Sequence, residues 1–427
     1  MPGINELILQ IESGTLDDQF ADVYKDENAI RYQRIRYTDA LIKFRDLYKT
    51  EDFCIFSAPG RSEVMGNHTD HQHGEVLAAG INLDAIAIVN KTDSKLIRIV
   101  SGDYPMMKVD VSSLNKQKSK KGSSEALIEG ICKYFFDKGY AVGGFDAYVT
   151  SDVIVGAGLS SSAAFETLIG TVVSHLFNNG YFKDTEIAIA GQYAENVYFG
   201  KPCGLMDQMA CSLGGLVHVD FADESNPISE KIMYDLSDNG YSLCITDTKG
   251  SHANLTDEYA AIPKEMKEVA SFFGKDYLLG VTLDELLANA SKIRAQFSDR
   301  ALLRAIHFVN ENERVKKGVE ALKNNDTNEF LKLVRESGKS SFEYLQNVYA
   351  VNDYLNQNLS LALAISDSIL DKNEEAFRVH GGGFAGTIQA FVKNENVQAY
   401  KEKLDAVFGD NSCHVLKVRK YGGIRIL

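Results

Sequence analysis

Residues 156–162 read Gly-Ala-Gly-Leu-Ser-Ser-Ser, and they lie between a β-rich run at 145–150 and a helical pattern at 161–176. Glycine lets the backbone approach an anion closely, and the N-terminus of the following helix offers unpaired N–H groups. Serine hydroxyls add hydrogen-bond donors and oxygen ligands for Mg²⁺. The stretch therefore predicts a phosphate-binding loop, although a glycine turn capped by serine explains it equally well when it is taken alone.

Two other phosphate-binding motifs compete for the same loop. A Walker A loop requires a Lys followed by Ser or Thr after its last glycine, and no Lys stands there. A dinucleotide fingerprint requires a third glycine where this chain has Ser161. The first motif is excluded, and the remaining G-x-G is weak support for the second.

The segments around the loop predict an α+β fold. Short β-rich runs and helical patterns are interleaved without the regular βαβ alternation of a doubly wound sheet, and the chain is mostly helical after about residue 255. Residues 1–50 show helical patterns with apolar residues on one face. We predict a helical extension at 1–50, an N-terminal domain at 51–225 and a C-terminal domain at 226–427.

Composition limits where the protein works and what it binds. With 427 residues the chain is long enough for two domains, and its net charge of −14 argues against nucleic acid or an anionic membrane as a partner. The N-terminus does not resemble a signal peptide, and no apolar run is long enough to cross a bilayer. Six scattered cysteines without C-x-x-C spacing are typical of a reducing compartment. We therefore expect a cytoplasmic protein.

Two further segments concentrate polar groups and glycines. Residues 58–74 read Ala-Pro-Gly-Arg-Ser-Glu-Val-Met-Gly-Asn-His-Thr-Asp-His-Gln-His-Gly, and residues 378–386 read Arg-Val-His-Gly-Gly-Gly-Phe-Ala-Gly. The triple glycine predicts close approach of the backbone to another group, or only a tight loop. His68, His71 and His73 form a local cluster, which raises the hypothesis of a transition-metal site with few other ligands nearby.

Four segments in this order resemble the GHMP kinases, and specifically the galactokinase branch. Residues 58–74 resemble the signature G-R-x-N-x-I-G-E-H-T-D-Y-N-G-G, 156–166 the phosphate loop, 204–209 the catalytic-aspartate segment, and 378–386 the third motif. The resemblance runs from about residue 53 to the C-terminus. It implies an N-terminal domain like ribosomal protein S5 domain 2, a ferredoxin-like C-terminal domain, and an active site between them that phosphorylates the anomeric hydroxyl of a sugar with ATP.

The resemblance also implies a role for each matching residue. Asp207 would accept the proton of the sugar hydroxyl, and Arg61 would steady Asp207 and balance charge on the transferring phosphoryl group. The implied Mg²⁺ ligands are Ser162 and Glu195. The implied ATP-binding residues are Gly156, Ala157, Gly158, Leu159, Ser160, Ser161 and Ser162. The implied sugar-binding residues are Asn67, His68, Thr69, Asp70, Gly204 and Tyr259.

Other interpretations stay open for several of these residues. Asp207 is also explained as a helix cap, Glu195 as a solvated helix residue, and Tyr259 as part of the core. Some relatives in this family are sensors that bind ATP and galactose without catalysis, and their phosphate loop is shortened after the serines. Here the loop has full length and Asp207 is present, so we predict an enzyme.

The main departure from the signature is Asn67, which stands where the family has a Glu that contacts the C6 hydroxyl of the sugar. Loss of that charge would remove a repulsion on the order of several kcal/mol against a C6 carboxylate. His71-Gln72 also resembles the plant galacturonate kinases, so galacturonate is the alternative substrate. We favour galactose, and hence galactose 1-phosphate, because the whole chain resembles galactokinases. Ala385 and Thr387 are further departures from the family, in and directly after the third motif. For the oligomeric state we expect a monomer.

Overall fold

The computed structural model describes residues 3–114, 117–223, 225–250 and 255–427, and it contains two β-sheets. The first sheet contains β1 (Cys54–Met65), β2 (Glu75–Lys91), β3 (Leu96–Ser101), β4 (Met107–Asp110), β5 (Phe145–Ser151), β6 (Leu216–Asp220), β7 (Ile228–Ile232) and β12 (Ile424–Arg425). The second contains β8 (Tyr241–Asp247), β9 (Ala376–Val379), β10 (Thr387–Lys393) and β11 (Cys413–Leu416). The predicted α+β class is confirmed.

Strand order defines two lobes. The first sheet runs β12-β1-β2-β5-β3-β4, with β6 on β2 and β7 on β6, and the second runs β11-β8-β10-β9. The pairs are antiparallel apart from β3 with β5. Both β7 and β12 lie beyond the expected boundary at residue 225, and yet they pair within the first sheet. The chain therefore returns to the first lobe at its C-terminal end.

Helices fill the space around both sheets. They are α1 (Ile4–Glu12), α2 (Asp17–Tyr24), α3 (Ile30–Tyr48), α4 (Ser124–Asp137), α5 (Ser161–Asn178), α6 (Asp184–Tyr193), α7 (Met206–Leu213), α8 (Thr256–Phe272), α9 (Leu283–Ala288), α10 (Ala290–Gln296), α11 (Asp299–Lys323), α12 (Thr327–Ser340), α13 (Asn358–Ile369) and α14 (Val397–Phe408). π-helical turns follow α6 at Ala194–Phe199 and α12 at Ser341–Leu345. None of the helices in the described ranges combines the length and apolarity that a bilayer crossing needs.

The predicted helical extension is present as α1, α2 and α3, which cover one face of the first sheet. Their apolar residues pack with Ile55, Ile86 and Ile88 in a common cluster. Beneath them the fully buried Asp84 binds Arg36 and Arg419 at 2.6 and 2.9 Å. The extension is thus tied to the sheet by buried charge as well as by apolar contact.

Strand β1 carries most of the 58–74 segment and places it beside the phosphate loop. A Cβ atom on Gly60 would lie only 2.8 Å from the carbonyl oxygen of Leu159, so glycine permits the close approach of strand and loop. One apolar cluster joins the lobes, because it includes Val64 and Leu159 of the first lobe and Leu243 and Phe391 of the second. The two lobes therefore share a core next to this segment.

Candidate active site

Asp207 and Arg61 form an ion pair in the cleft beside the phosphate loop. Asp207 lies in the first turn of α7, where the helix dipole favours a negative charge. Its Oδ1 accepts a hydrogen bond from Nε of Arg61 at 2.7 Å and lies 2.7 Å from Nη2 of the same guanidinium. Burial alone would raise the pKa of Asp207, but the charge of Arg61 and the hydrogen bond from Ser160 hold that pKa below its ordinary value. Asp207 is therefore an anion, and 33% of its side chain stays exposed to a substrate.

The phosphate loop is hydrogen-bonded directly to this ion pair. The Ser160 hydroxyl donates to Oδ2 of Asp207, and Nη1 of Arg61 donates to the carbonyl of Gly158. The backbone N–H of Arg61 also donates to the carbonyl of Leu159 at 3.0 Å. Loop, arginine and aspartate thus form one unit, in which the Ser160 hydroxyl is used by Asp207.

The loop alternates anchored and open positions. Ala157 and Leu159 are fully buried, whereas Gly156 and Gly158 are exposed with φ of 84° and 66°. Helix α5 begins directly after Ser160, and its N-terminus has no side-chain cap. Unpaired N–H groups at a helix N-terminus behind exposed glycines suit a phosphate group.

Glu195 lies in the π-helical turn at Ala194–Phe199 and is only 4% exposed. It is therefore a buried residue, and the interpretation of Glu195 as a solvated helix residue is wrong. Its carboxylate accepts from Lys201 at 3.1 Å and from Gln208 at 2.9 Å. The same Gln208 nitrogen donates to Glu166 at 3.0 Å. Burial and then the charge of Glu195 raise the pKa of Glu166 well above its ordinary value. Sequence reasoning missed Glu166, although an acid on the buried face of a helix was a visible signal.

Oxygen donors near the loop fit a magnesium ion. Oε1 of Glu166 is buried without a hydrogen-bond partner, next to the carboxylate of Glu195. Ser162 lies half-buried in the first turn of α5. Magnesium is commonly bound through one or two carboxylates together with phosphate oxygens and water. Among the described residues no set of three or more His, Cys, Asp or Glu side chains could hold a metal by itself, which is evidence against a site built on His68, His71 and His73.

Three of the expected sugar-site residues surround the triple glycine. The amide of Asn67 donates to the Gly381 carbonyl at 2.7 Å, and Nε2 of His68 donates to the Gly382 carbonyl at 3.1 Å. The Tyr259 hydroxyl donates to the Gly383 carbonyl at 2.8 Å. Burial lowers the pKa of His68 to about 3, so its ring is neutral. The signature segment and the third motif are therefore directly bonded.

Asp70, Gly204 and Thr69 have different environments. A Cβ atom on Gly204 would lie 2.1 Å from Oδ2 of Asp70, so glycine lets the chain just before α7 lie directly against this carboxylate. The Thr69 hydroxyl shares its one proton between the carbonyls of Gly66 at 2.8 Å and Glu75 at 2.6 Å, and the residue is fully buried. Thr69 thus shapes the turn, while Asp70 and Gly204 are placed together.

Asn67 is buried with 0% exposure and every hydrogen-bonding position of its amide is occupied. Nδ2 donates to Glu63 at 3.0 Å and to the Gly381 carbonyl. Oδ1 accepts from Ser341 at 3.2 Å and from Asn347 at 2.8 Å. The expected direct contact between Asn67 and a sugar would require one of these bonds to break.

Sequence reasoning also missed His380, which joins the third motif to the phosphate loop. Its Nε2 accepts from the backbone N–H of Glu63 at 3.3 Å, so Nδ1 carries the proton and donates to Thr387 at 2.9 Å. A Cβ atom on Gly158 would lie 3.2 Å from Nδ1 of His380 and 3.1 Å from the Thr387 hydroxyl. The departure at Thr387 therefore supplies a partner for His380 against the loop.

Comparison with known proteins agrees with this arrangement. Family models match at residues 126–215 (GHMP kinases N terminal domain) and 42–91 (galactokinase galactose-binding signature). Galactokinase from Glaesserella parasuis is 33% identical over 81% of this chain and 86% of its own length. Galactokinase from Streptomyces coelicolor is 30% identical over 86% of this chain and 91% of its own length.

Solved structures support the same fold. A Lactococcus lactis galactokinase complexed with galactose superposes with a TM-score of 0.78 at 22% identity, covering 92% of this chain and all of that one. A mevalonate kinase superposes with a TM-score of 0.60 at 16% identity, covering 86% of this chain and 99% of that one. The two-lobe GHMP kinase fold is thus confirmed. With relatives of at least 30% identity over most of its length, the chain belongs to the galactokinase family of ATP-dependent sugar kinases.

Proposed function

We propose that this protein transfers the γ-phosphoryl group of ATP to the anomeric hydroxyl of galactose and releases galactose 1-phosphate. The observation that carries this proposal is the joining of Asp207, Arg61 and the phosphate loop through Ser160 and the Gly158 carbonyl. A base held against a phosphate site brings the acceptor hydroxyl and the nucleotide to the same point. Phosphoryl transfer depends mainly on such positioning.

Asp207 acts as the base in this proposal. Its Oδ1 is held by Arg61, and its ionised state at neutral pH follows from its lowered pKa. Such an aspartate is a weak base for a free hydroxyl. It suffices when the proton leaves late, as the phosphoryl group is transferred.

Arg61 balances charge on both sides of the transfer. It pairs with Asp207 and donates to the Gly158 carbonyl, so its guanidinium lies between the base and the loop. A fixed positive group at this position stabilises the charge that builds on the phosphoryl oxygens. The exposed glycines and the N-terminus of α5 would hold the other phosphates of ATP.

Magnesium would be held by Ser162 and Glu195, with the unpartnered oxygen of Glu166 close to Glu195. Bound there, the ion would neutralise phosphate charge and orient the nucleotide. Lys201 now pairs with Glu195 at 3.1 Å, and its 64% exposed side chain is free to turn toward solvent or phosphate.

The sugar would bind where the signature segment meets the triple glycine. Asp70 beside Gly204, together with His68 and Tyr259, offers the acceptors and donors for sugar hydroxyls. Asn67 and Thr69 support this surface from inside the protein, because both are fully buried. Residence in the cytoplasm and the monomeric state stay predictions.

A panel of sugars with ATP and Mg²⁺ tests the proposal by phosphate transfer. We expect turnover of galactose and a product that carries its phosphate on the anomeric hydroxyl. Asp207→Asn should lower turnover by about 10²–10⁴-fold while ATP binding is kept, and phosphate transfer by the parent separates an enzyme from a sensor. A parent protein that binds ATP but phosphorylates no hexose would refute the proposed function.

A further inference from the structure

Glu63 and Asn67 carry the two residue types of the signature in exchanged positions. The signature G-R-x-N-x-I-G-E has Asn and then Glu where this chain has Glu63 and Asn67. In the structure the two side chains touch, because Nδ2 of Asn67 donates to Oε1 of Glu63 at 3.0 Å. The change at Asn67 is therefore one half of an exchange and not an isolated loss of a carboxylate.

The carboxylate of Glu63 is compensated by a buried arginine. Nη2 of Arg378 lies 2.9 Å from the same Oε1, and Nη1 donates to the Val64 carbonyl at 3.1 Å. The side chain of Arg378 is fully buried and that of Glu63 is 4% exposed. Removal of one partner from such a pair leaves an uncompensated buried charge, which is strongly destabilising. Glu63 is thus required by Arg378.

The pair also lies against the proposed sugar surface. Asn67 holds the Gly381 carbonyl, and the next carbonyl, of Gly382, accepts from His68. Burial raises the pKa of Glu63, and the Asp70 carboxylate adds to this, which places Glu63 within electrostatic reach of the sugar-site acid. Since Arg378 is neutralised by Glu63 and Arg61 by Asp207, neither of these arginines is left to attract a substrate carboxylate.

We propose that Glu63 and Asn67 form an exchanged acid–amide pair that keeps a carboxylate beside the sugar surface. The pocket then takes a hexose that is uncharged at C6 and rejects uronic acids, because Arg378 and Arg61 are already paired and a desolvated C6 carboxylate would find no counter-charge in either. This specificity rests on the proposed function, whereas the pairing of the two residues does not.

Thermal unfolding of single and double variants tests the pair without any substrate. Asn67→Glu places two carboxylates beside one arginine, and Glu63→Asn leaves Arg378 unpaired. We expect each single change to lower Tm by about 5 °C or more. The double variant restores one acid and one amide, and we expect its Tm within about 3 °C of the parent. Singles that unfold like the parent, or a double variant that loses the full sum, would overturn the pairing.

Asn347→Asp is the matched control. Asn347 is fully buried and contacts Oδ1 of Asn67 at 2.8 Å, on the side away from Glu63. The Asn347→Asp change therefore adds a buried acid to the same hydrogen-bond network at a position that does not contact Glu63. Glu63→Asn should not rescue Asn347→Asp. If Glu63→Asn restored the Tm of Asn347→Asp as well as it restores that of Asn67→Glu, the rescue would be a general charge effect. That result would contradict a specific pairing of Glu63 with Asn67.

Initial rates with galactose and galacturonate test the specificity. We expect the parent to favour galactose in kcat/KM by at least about a hundredfold, because a carboxylate that leaves water without gaining a counter-charge is strongly disfavoured. We expect the double variant to keep this ratio within about tenfold, because the carboxylate only changes position. Equal turnover of galacturonate by the parent overturns the specificity. If no hexose is phosphorylated, the proposed function and this specificity fail together, and the unfolding data still decide the pair.

Discussion

Nε and Nη2 of Arg61 both lie 2.7 Å from a single oxygen of Asp207, Oδ1. The second oxygen, Oδ2, accepts from Ser160 and belongs to a carboxylate that is one-third exposed. The arginine thus fixes the orientation of the aspartate through one oxygen and leaves the other toward the phosphate loop. Much of the proposed chemistry depends on this division.

Asp207→Asn should lower kcat by about 10²–10⁴-fold, because the amide cannot accept the sugar proton. The amide keeps the size of the side chain, so the affinity for ATP should change little. Steady-state rates and nucleotide titration measure both quantities. Activity equal to that of the parent would contradict the assignment of the base.

Arg61→Lys should lower kcat by at least about tenfold even though the charge is kept. Lys has a single nitrogen and cannot contact Asp207 through two groups while donating to the Gly158 carbonyl. Single-turnover kinetics separate this effect from substrate binding. A lysine variant with normal kcat would show that charge alone suffices at this position.

Ser160→Ala separates two roles for one hydroxyl. If Ser160 serves Asp207, as its hydrogen bond indicates, kcat should fall about tenfold while KM for ATP stays near that of the parent. A neighbouring change, Ser161→Ala, is the comparison: its hydroxyl belongs to the expected ATP-binding residues and not to the Asp207 contact, so it should raise KM for ATP more than it lowers kcat. A rise in KM for ATP without loss of kcat would instead favour a direct phosphate contact by Ser160.

His380→Gln should flatten the dependence of stability on pH. Burial and the charges of Arg61 and Arg378 hold the pKa of His380 well below its ordinary value. Below about pH 6.5 the unfolded chain binds a proton at this residue and the folded protein does not, so the parent loses up to about 1.4 kcal/mol per pH unit there. Urea unfolding of parent and variant at about pH 7 and pH 5.5 measures the difference. Identical slopes would contradict a neutral buried ring.

Asp84→Asn should lower the free energy of unfolding by about 3–5 kcal/mol at neutral pH, because it leaves Arg419 buried without its counter-charge and Arg36 with Asp152 alone. Burial opposes ionisation of Asp84, but these arginines hold its pKa below the ordinary value. Its contribution is therefore present above about pH 4 and is lost as the pH falls through the folded pKa. Lys332→Ala, in an exposed pair, is the control and should change stability by less than about 0.5 kcal/mol.

Local periodicity was enough to predict many elements of the fold. The β-rich run at 145–150 coincides with β5, and the helical pattern at 161–176 coincides with α5. Helix α4 was not predicted, and neither was α7, which carries Asp207. Residues 126–132 of α4 and 208–213 of α7 are buried without interruption, and periodicity alone does not assign such a run to a helix or a strand.

The candidate site divides in the same way. The motif letters alone identified Asp207, Arg61 and the loop, since the resemblance carries those roles position by position. They did not show that Ser160 serves Asp207, that His380 touches the loop, or that Glu166 lies beside Glu195. Each of these contacts joins segments far apart in the chain, and no local pattern records them.

The sequence by itself determined the α+β class, the family and the chemistry of the loop, because these depend on residue types in a fixed local order. From the sequence alone, Asn67 was interpreted as the loss of the carboxylate that the family signature has at this position. The tertiary structure shows that a carboxylate is still present there, because Glu63 and the Gly381 carbonyl contact the Asn67 side chain and Arg378 pairs with Glu63. Glu63 and Arg378 are 315 positions apart, and the balance of buried charge between them exists only after the two lobes have packed together.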